Sequence, residues 1–207
     1  MRLPIVFVLG DSISIHYGPY LEEYLRGLFS YSRKQGDQAA VKNLDIPVGA
    51  NGGDSFQVLQ YLSSNSQHHE VPNADFLVLN CGLHDIKTNP TTLERQVTEK
   101  DYESSLQKIV AISQKLFRHI VWIRSTPVSD KKHNSIRKDF QRFNKDVIMY
   151  NEIDDRVMRR NHIVCIDLYR FTINLGPDVY CDHVHFTDDI RQKQARFIAD
   201  HLLHLES

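Results

Sequence analysis

The chain has 207 residues, of which 41% are hydrophobic and 25% are charged, and its Gly and Pro contents are ordinary. These values exclude a collagen, a coiled coil and a long linker, and the length predicts one domain over residues 1–207. The formal net charge of -1 gives no overall attraction toward nucleic acid or an anionic membrane, so neither partner is expected.

The three cysteines, Cys81, Cys165 and Cys181, are too few for a disulfide framework and favour a reducing compartment. The first apolar run, 5–9, is too short for a secretory leader. No apolar run approaches the ~20 residues that a membrane helix needs. We therefore expect a cytoplasmic protein, with no prediction for its oligomeric state.

Short apolar runs along the chain predict the strands of a sheet. In chain order they are 5–9, a weaker run at 41–48, then 76–79, 119–123 and 162–166. Their near-continuous Val and Ile content is typical of parallel strands that are covered on both faces. Amphipathic spacing predicts helices at 19–29, 55–62, 102–117, 134–158 and 187–205. The alternation predicts an α/β fold, a three-layer α/β/α sandwich with about five mostly parallel strands.

Polar clusters follow four of the predicted strands, at the sheet edge where ligands bind in open parallel sheets. In chain order they are Gly10-Asp11-Ser12, Asn51-Gly52-Gly53-Asp54-Ser55, Cys81-Gly82-Leu83-His84-Asp85 and, across a loop, Asp182-His183-Val184-His185. Each cluster alone is compatible with an ordinary turn or helix cap. Four of them at one edge indicate an active site.

Ser12 is the candidate nucleophile, because a Ser on a strand-to-helix turn exposes its hydroxyl and its own N–H at the crevice. A hydroxyl needs a base, and the base needs a third group that fixes its tautomer. Asp182 and His185 are three residues apart, so the carboxylate can reach Nδ1 while Nε2 faces Ser12. The sequence therefore predicts a Ser12, Asp182, His185 triad.

Acyl transfer also needs donors for the oxygen of the tetrahedral intermediate. Candidates are the backbone N–H groups of Ser12 and Gly53 and the ring of His84. A glycine at position 53 lets the backbone approach a substrate because it has no Cβ. Ser12, Gly53 and His84 form the predicted oxyanion hole, and neither a metal nor a cofactor is predicted.

These clusters, in this order, resemble the blocks of the GDSL-type esterase and lipase superfamily, also called the SGNH hydrolases. Gly10-Asp11-Ser12 matches the first block, Gly53 the second, Gly82-Leu83-His84-Asp85 the third, and Asp182 with His185 the last. The resemblance implies a flavodoxin-like sandwich. It also implies a serine esterase that hydrolyses a small acyl ester, such as an O-acetyl carbohydrate or a short-chain lipid ester, through an acyl-Ser12 intermediate.

His84 departs from the family, which usually has Asn at this position. The Asn side chain donates to the oxyanion, whereas a neutral His donates from one nitrogen and a protonated His is a pH-dependent donor. Three other readings stay open: an acyltransferase that uses the same triad, a metal-dependent hydrolase, and a ligand-binding domain without catalysis. The metal hypothesis would use Asp182, His183 and His185 together with His84 and Asp85.

Two further segments have simpler interpretations. The basic stretch 131–145, which includes Arg137 and Arg142, is predicted to be a solvated helix face. The polar segment His68-His69-Glu70 is predicted to be a loop and not a metal site. Substrate specificity is expected to depend on loops at 31–40, 86–100 and 171–180.

Overall fold

The computed structural model describes residues 2–68 and 73–206, so most of the predicted loop at 68–70 lies outside the described residues. Five strands pair in parallel to form one sheet: β1 (Ile5–Leu9), β2 (Ser30–Arg33), β3 (Phe76–Leu79), β4 (His119–Ile123) and β5 (Val164–Ile166). The three strands β1, β3 and β4 have the predicted bounds. Their side chains are almost all buried, as expected for strands with helices on both faces.

The helices are α1 (Ser12–Leu25), α2 (Asp37–Ala40), α3 (Ser55–His68), α4 (Glu99–Leu116), α5 (Asp130–Ile136), α6 (Asn144–Arg160), α7 (Leu168–Ile173) and α8 (Asp188–Glu206). Within the described ranges, every helix is too short or too polar to span a bilayer.

The spatial strand order is β2-β1-β3-β4-β5, which is the flavodoxin-like order. The chain therefore runs outward from β1 to β2 and then reverses direction through β3, β4 and β5. Right-handed crossovers in opposite directions put their helices on opposite faces. Accordingly α1 packs against α8, while α3 packs against α4 and α4 against α6. The α/β/α sandwich is confirmed.

The predicted strand at 41–48 is wrong, because the second strand of the sheet lies earlier in the chain, at β2 (Ser30–Arg33). Its residues pair with β1, with Tyr31 opposite Val6. Residues 41–48 instead form a loop in which Val41, Ile46 and Val48 are exposed. The polar strand β2 is at the edge of the sheet and pairs only with β1. An edge strand is less enclosed than a central one and can therefore carry polar side chains.

The helix predicted at 134–158 is two helices, because the chain leaves α5 at Arg137 and re-enters a helix at Asn144. Between them Gln141 pairs with Thr88, and an extended backbone is needed for that pairing. The first helix begins at Ser12 and passes through Pro19, which the sequence placed at the helix start. Proline removes one intrahelical hydrogen bond, but the buried side chains of α1 hold the helix together.

Candidate active site

Ser12 is the first residue of α1, directly after the turn that ends β1. The Asp11 side chain caps the helix by accepting a hydrogen bond from the Ile13 N–H at 2.9 Å. This cap fixes the turn, and Ser14 Oγ donates to the Asp11 carbonyl at 2.7 Å. The Ser12 N–H therefore lies at the positive end of the helix, where it favours negative charge.

The structure brings Ser12, His185 and Asp182 together in one row. Ser12 Oγ lies 2.9 Å from His185 Nε2, and His185 Nδ1 lies 2.7 Å from Asp182 Oδ2. The other oxygen of Asp182 accepts from the N–H groups of Val184 and His185, at 2.8 and 2.7 Å. The triad residues are therefore in hydrogen-bond contact.

Asp182 is a carboxylate at neutral pH. Burial alone would raise its pKa, but the hydrogen bonds from the His185 ring and from two backbone amides outweigh burial and hold the pKa well below its usual range. A carboxylate can only accept, so Nδ1 of His185 carries the proton. Nε2 is then the acceptor for the Ser12 hydroxyl, which is the arrangement of a general base.

Gly53 lies beside the Ser12 turn, because the neighbouring Gly52 N–H donates to the Gly10 carbonyl at 2.8 Å. Its φ of +76° is in the left-handed region, and a Cβ there would lie 2.0 Å from Gln57 Oε1. The Gly53 N–H donates to Asn51 Oδ1 at 3.0 Å. This predicted oxyanion donor is therefore engaged by Asn51 and must exchange that partner to bind a substrate oxygen.

His84 is buried in the turn that follows β3, and within the described part of the chain its Nδ1 has no hydrogen-bond partner. Burial, followed by the charges of Lys87 and Arg142, lowers the pKa of His84 well below its usual value. The ring is therefore neutral and has one N–H to donate. The next residue, Asp85, joins this cluster to the second one by accepting from the Ser55 N–H at 2.9 Å.

His16 was not identified from the sequence, although it lies four residues after Ser12 on the same helix. Its ring contacts the His185 ring edge-on, with the centroids 4.9 Å apart. Burial and the proximity of His185 lower the pKa of His16 to about 3. A neutral ring therefore borders the imidazole of His185. The i, i+4 spacing from Ser12 was the available signal.

A second carboxylate and imidazole, those of Asp45 and His183, lie next to the triad. His183 belongs to the fourth predicted cluster, whereas no sequence pattern pointed to Asp45. Asp45 Oδ1 lies 3.0 Å from His183 Nε2, although the two residues are 138 positions apart. Asp45 also forms ion pairs with Arg137 at 3.2 Å and Arg142 at 3.9 Å. The predicted solvated face is wrong for Arg142, which is 2% exposed and donates to the Leu83 carbonyl.

Asp182, His183 and His185 also have the composition of a metal site. One ligand-type atom from each lies within 4.8 Å of the others in the described part of the chain. The same side chains make the hydrogen bonds to Ser12 and Asp45 and within the triad. A metal ion would therefore compete with those bonds.

A cavity of about 740 Å³ is lined by Asp45, Pro47, Lys87 and Gln96, among others. Pro47 borders Gly53, since a Cβ on that glycine would lie 2.8 Å from the proline Cβ. The predicted specificity loop 86–100 contributes to this cavity. The loop 171–180 lines a separate cavity of about 410 Å³, and residues 31–37 line a third one of about 400 Å³.

A family model described as GDSL-like lipase/acylhydrolase matches residues 6–198. No curated protein sequence matches the chain at a significant level.

Several solved structures share the fold at low sequence identity. A lipase/acylhydrolase from Enterococcus faecalis has a TM-score of 0.70 at 14% identity, covering 98% of this chain and 95% of that one. A carbohydrate acetylesterase from Sinorhizobium meliloti has a TM-score of 0.66 at 13% identity, covering 98% and 99%. A catalytic mutant of an acetylxylan esterase from Geobacillus stearothermophilus has a TM-score of 0.64 at 12% identity, covering 99% and 95%.

Proposed function

The chain belongs to the GDSL-like lipase/acylhydrolase family and is a hydrolase that acts on esters, and on this basis we propose that it works through an acyl-Ser12 intermediate. The observation that carries this proposal is the row of contacts at 2.9 Å from Ser12 to His185 and 2.7 Å from His185 to Asp182. A hydroxyl, a base and a group that orients the base are the parts that acyl transfer needs.

In the first half-reaction Ser12 Oγ attacks the ester carbonyl while His185 Nε2 takes the hydroxyl proton. The carbonyl oxygen becomes an oxyanion, which accepts hydrogen bonds from the Ser12 N–H and the His84 ring, and from the Gly53 N–H once it leaves Asn51. His185 then protonates the leaving alcohol as the C–O bond breaks. Asp182 stays ionised and stabilises the imidazolium that forms in between.

In the second half-reaction water attacks the acyl-Ser12 carbonyl, and His185 takes the proton from the water. Collapse of the second tetrahedral intermediate releases the carboxylic acid and returns the proton to Ser12 Oγ. An alcohol in place of water would transfer the acyl group instead. The two outcomes differ in the acceptor and not in the residues that act.

We take an O-acetyl group on a carbohydrate as the candidate substrate. Two proteins of similar fold are named as a carbohydrate acetylesterase and an acetylxylan esterase. The cavity beside Gly53 has amide and hydroxyl side chains in its lining, Asn43, Asn89, Thr92 and Gln96 among them. Such groups hydrogen-bond the hydroxyls of a sugar.

Turnover of p-nitrophenyl acetate and of an acetylated sugar tests this proposal. We expect Ser12→Ala and His185→Ala to abolish turnover of both esters, and Asp182→Asn to retain a trace, about 10⁴-fold below the wild type. Ser104→Ala, on α4, is the matched control for loss of a serine hydroxyl and should be unaffected. Acetate released per ester consumed, with and without an added alcohol, separates hydrolysis from transfer. Full activity of a folded Ser12→Ala would contradict the proposal.

A further inference from the structure

Asp45 is a half-buried anion that joins several parts of the chain. It lies in the loop between α2 and α3, and its side chain is 11% exposed. Arg137 and Arg142 pair with its carboxylate, and Lys87 Nζ donates to its backbone carbonyl at 2.9 Å. Burial opposes the charge, but the bond from His183 and the nearby arginines hold the pKa of Asp45 well below its usual range. Asp45 is therefore ionised and fixed in place.

His183 lies between this carboxylate and the triad. Because Asp45 can only accept, the bond at 3.0 Å is donated by His183 Nε2–H. The other ring nitrogen, Nδ1, lies 3.6 Å from Asp182 Oδ1. The His183 ring also contacts the His185 ring edge-on, at 5.8 Å between centroids. His183 thus touches both members of the catalytic acid–base pair.

The outer face of the His183 ring is supported as well. The His133 ring packs edge-on against it at 4.9 Å. His133 Nε2 lies 3.1 Å from Arg142 Nη1, and since a guanidinium only donates, that nitrogen of His133 is the acceptor. The His133 ring is neutral, because burial and the charge of Arg142 lower its pKa to about 4. The ring of His183 is therefore held on two sides.

Some hydrogen bonds of the catalytic loop around Asp182 are internal, while Lys132 Nζ donates to the Tyr180 carbonyl and Arg191 Nε to the Phe186 carbonyl. Cys181 N–H donates to the His185 carbonyl at 2.9 Å, and the Asp182 side chain binds two amides of its own loop. The bond from His183 to Asp45 instead joins this loop to the loop that carries Gly53. A shift of that bond would move the base relative to Ser12.

We propose that Asp45 and His183 form a second carboxylate–imidazole pair that positions the Asp182 and His185 pair against Ser12. Both are positioning residues, because they act through the triad and not on the reacting atoms. The inference rests on the proposed function of Ser12, Asp182 and His185. Its consequence is that catalysis depends on the donor at position 183, even though the family resemblance assigns that position no role.

The kinetic test compares His183→Leu, which removes the donor, with His183→Gln, whose amide can still donate to Asp45. For p-nitrophenyl acetate we expect His183→Leu to lower kcat about 10²-fold with little change in KM, since small misplacements of reacting groups cost about that much. His183→Gln should recover most of kcat. Asp45→Asn should lower kcat in the wild-type background and have little further effect in His183→Leu, because neighbours that act as a unit are not additive.

A second readout does not depend on turnover. In NMR spectra of the imidazole protons, the Nδ1–H of His185 that binds Asp182 should be resolved in the wild type, lost or shifted in His183→Leu, and restored in His183→Gln. His119→Leu removes a half-buried imidazole at the opposite end of β4 and is the control for general destabilisation. It should leave both kcat and this resonance unchanged.

Wild-type kcat in His183→Leu, an unchanged His185 resonance, or a His183→Gln that is as impaired as His183→Leu would each overturn the positioning role. Failure of the proposed function would give a different result from failure of the positioning role, because the wild type itself would then show no turnover. The resonance would still decide whether His183 positions His185.

Discussion

At the scale of single residues, the neutral state of His84 decides which donor it can offer. A protonated imidazole would be a strong hydrogen-bond donor, but the enzyme activity that depends on it would decline as the pH rises through the pKa of the ring. Burial and the charges of Lys87 and Arg142 lower the pKa of His84 well below its usual value, so the ring does not gain a proton near neutral pH. It therefore offers a neutral N–H, which is chemically close to the amide of an asparagine.

We predict that His84→Asn retains or raises esterase activity, because the asparagine amide supplies a neutral donor in the same place. His84→Leu removes the donor and should lower kcat by about 10²- to 10³-fold. Steady-state kinetics across about pH 5 to 9 check this. The wild type and His84→Asn should have the same dependence of activity on pH, because the triad sets it in both proteins. Complete loss of activity in a folded His84→Asn would assign His84 a different role.

The grouping of Ser12, Asp182 and His185 could be predicted from sequence because each lies in a polar cluster after a predicted strand. Ser12 follows a strand, and Asp182 and His185 are three residues apart. The contact between Asp45 and His183 depends instead on how two distant loops are placed, and no spacing in the sequence encodes it. The hydrogen bond that occupies the Gly53 N–H was missed for a similar reason, since it needs the loop conformation.

At the scale of elements, the apolar strands could be predicted and the polar one could not. β1, β3 and β4 are buried on both faces, so their composition alone identifies them. β2 has the sequence Ser-Tyr-Ser-Arg and pairs on one side only, so nothing in its hydropathy marks it. The break between α5 and α6 was missed because tertiary pairing with Thr88 overrides a helical pattern.

Asp85 connects two elements of the site, because its side chain binds the N–H of Ser55 at the start of α3. Burial raises the pKa of Asp85 to about 7. In the unfolded chain an Asp titrates near its ordinary value of about 3.9. Between these values the native state holds a proton that the unfolded state has lost, so the free energy of unfolding falls as the pH rises.

We predict that Asp85→Asn gains stability relative to the wild type as the pH rises from about 4 to about 7, by roughly 1.4 kcal/mol per pH unit, and that the gain then levels off. Asn keeps a side-chain oxygen for the Ser55 N–H and does not titrate. Urea unfolding of both proteins at several pH values measures the slope. The exposed Asp178→Asn supplies the baseline. A difference between Asp85→Asn and wild type that does not change with pH would contradict the assignment.

At the scale of the whole molecule, the strand order explains why residues so far apart in sequence share one site. The chain reverses direction at β1 and β3, and a ligand crevice forms where neighbouring connections diverge. Ser12 follows β1 and His84 follows β3, so both lie at this crevice. The hydrogen bonds from Gly52 to Gly10 and from Ser55 to Asp85 then draw the second cluster to the same edge.

The acyl-Ser12 chemistry is tested most directly by intact-mass spectrometry after exposure to a fluorophosphonate, with ester turnover measured in parallel, with and without EDTA. An activated serine attacks the phosphorus and keeps the phosphonyl group. We predict one adduct on the wild type, none on a folded Ser12→Ala, and turnover that EDTA leaves unchanged. An adduct that persists on Ser12→Ala would contradict the proposed chemistry of Ser12. So would a wild type that forms no adduct and whose turnover is abolished by EDTA.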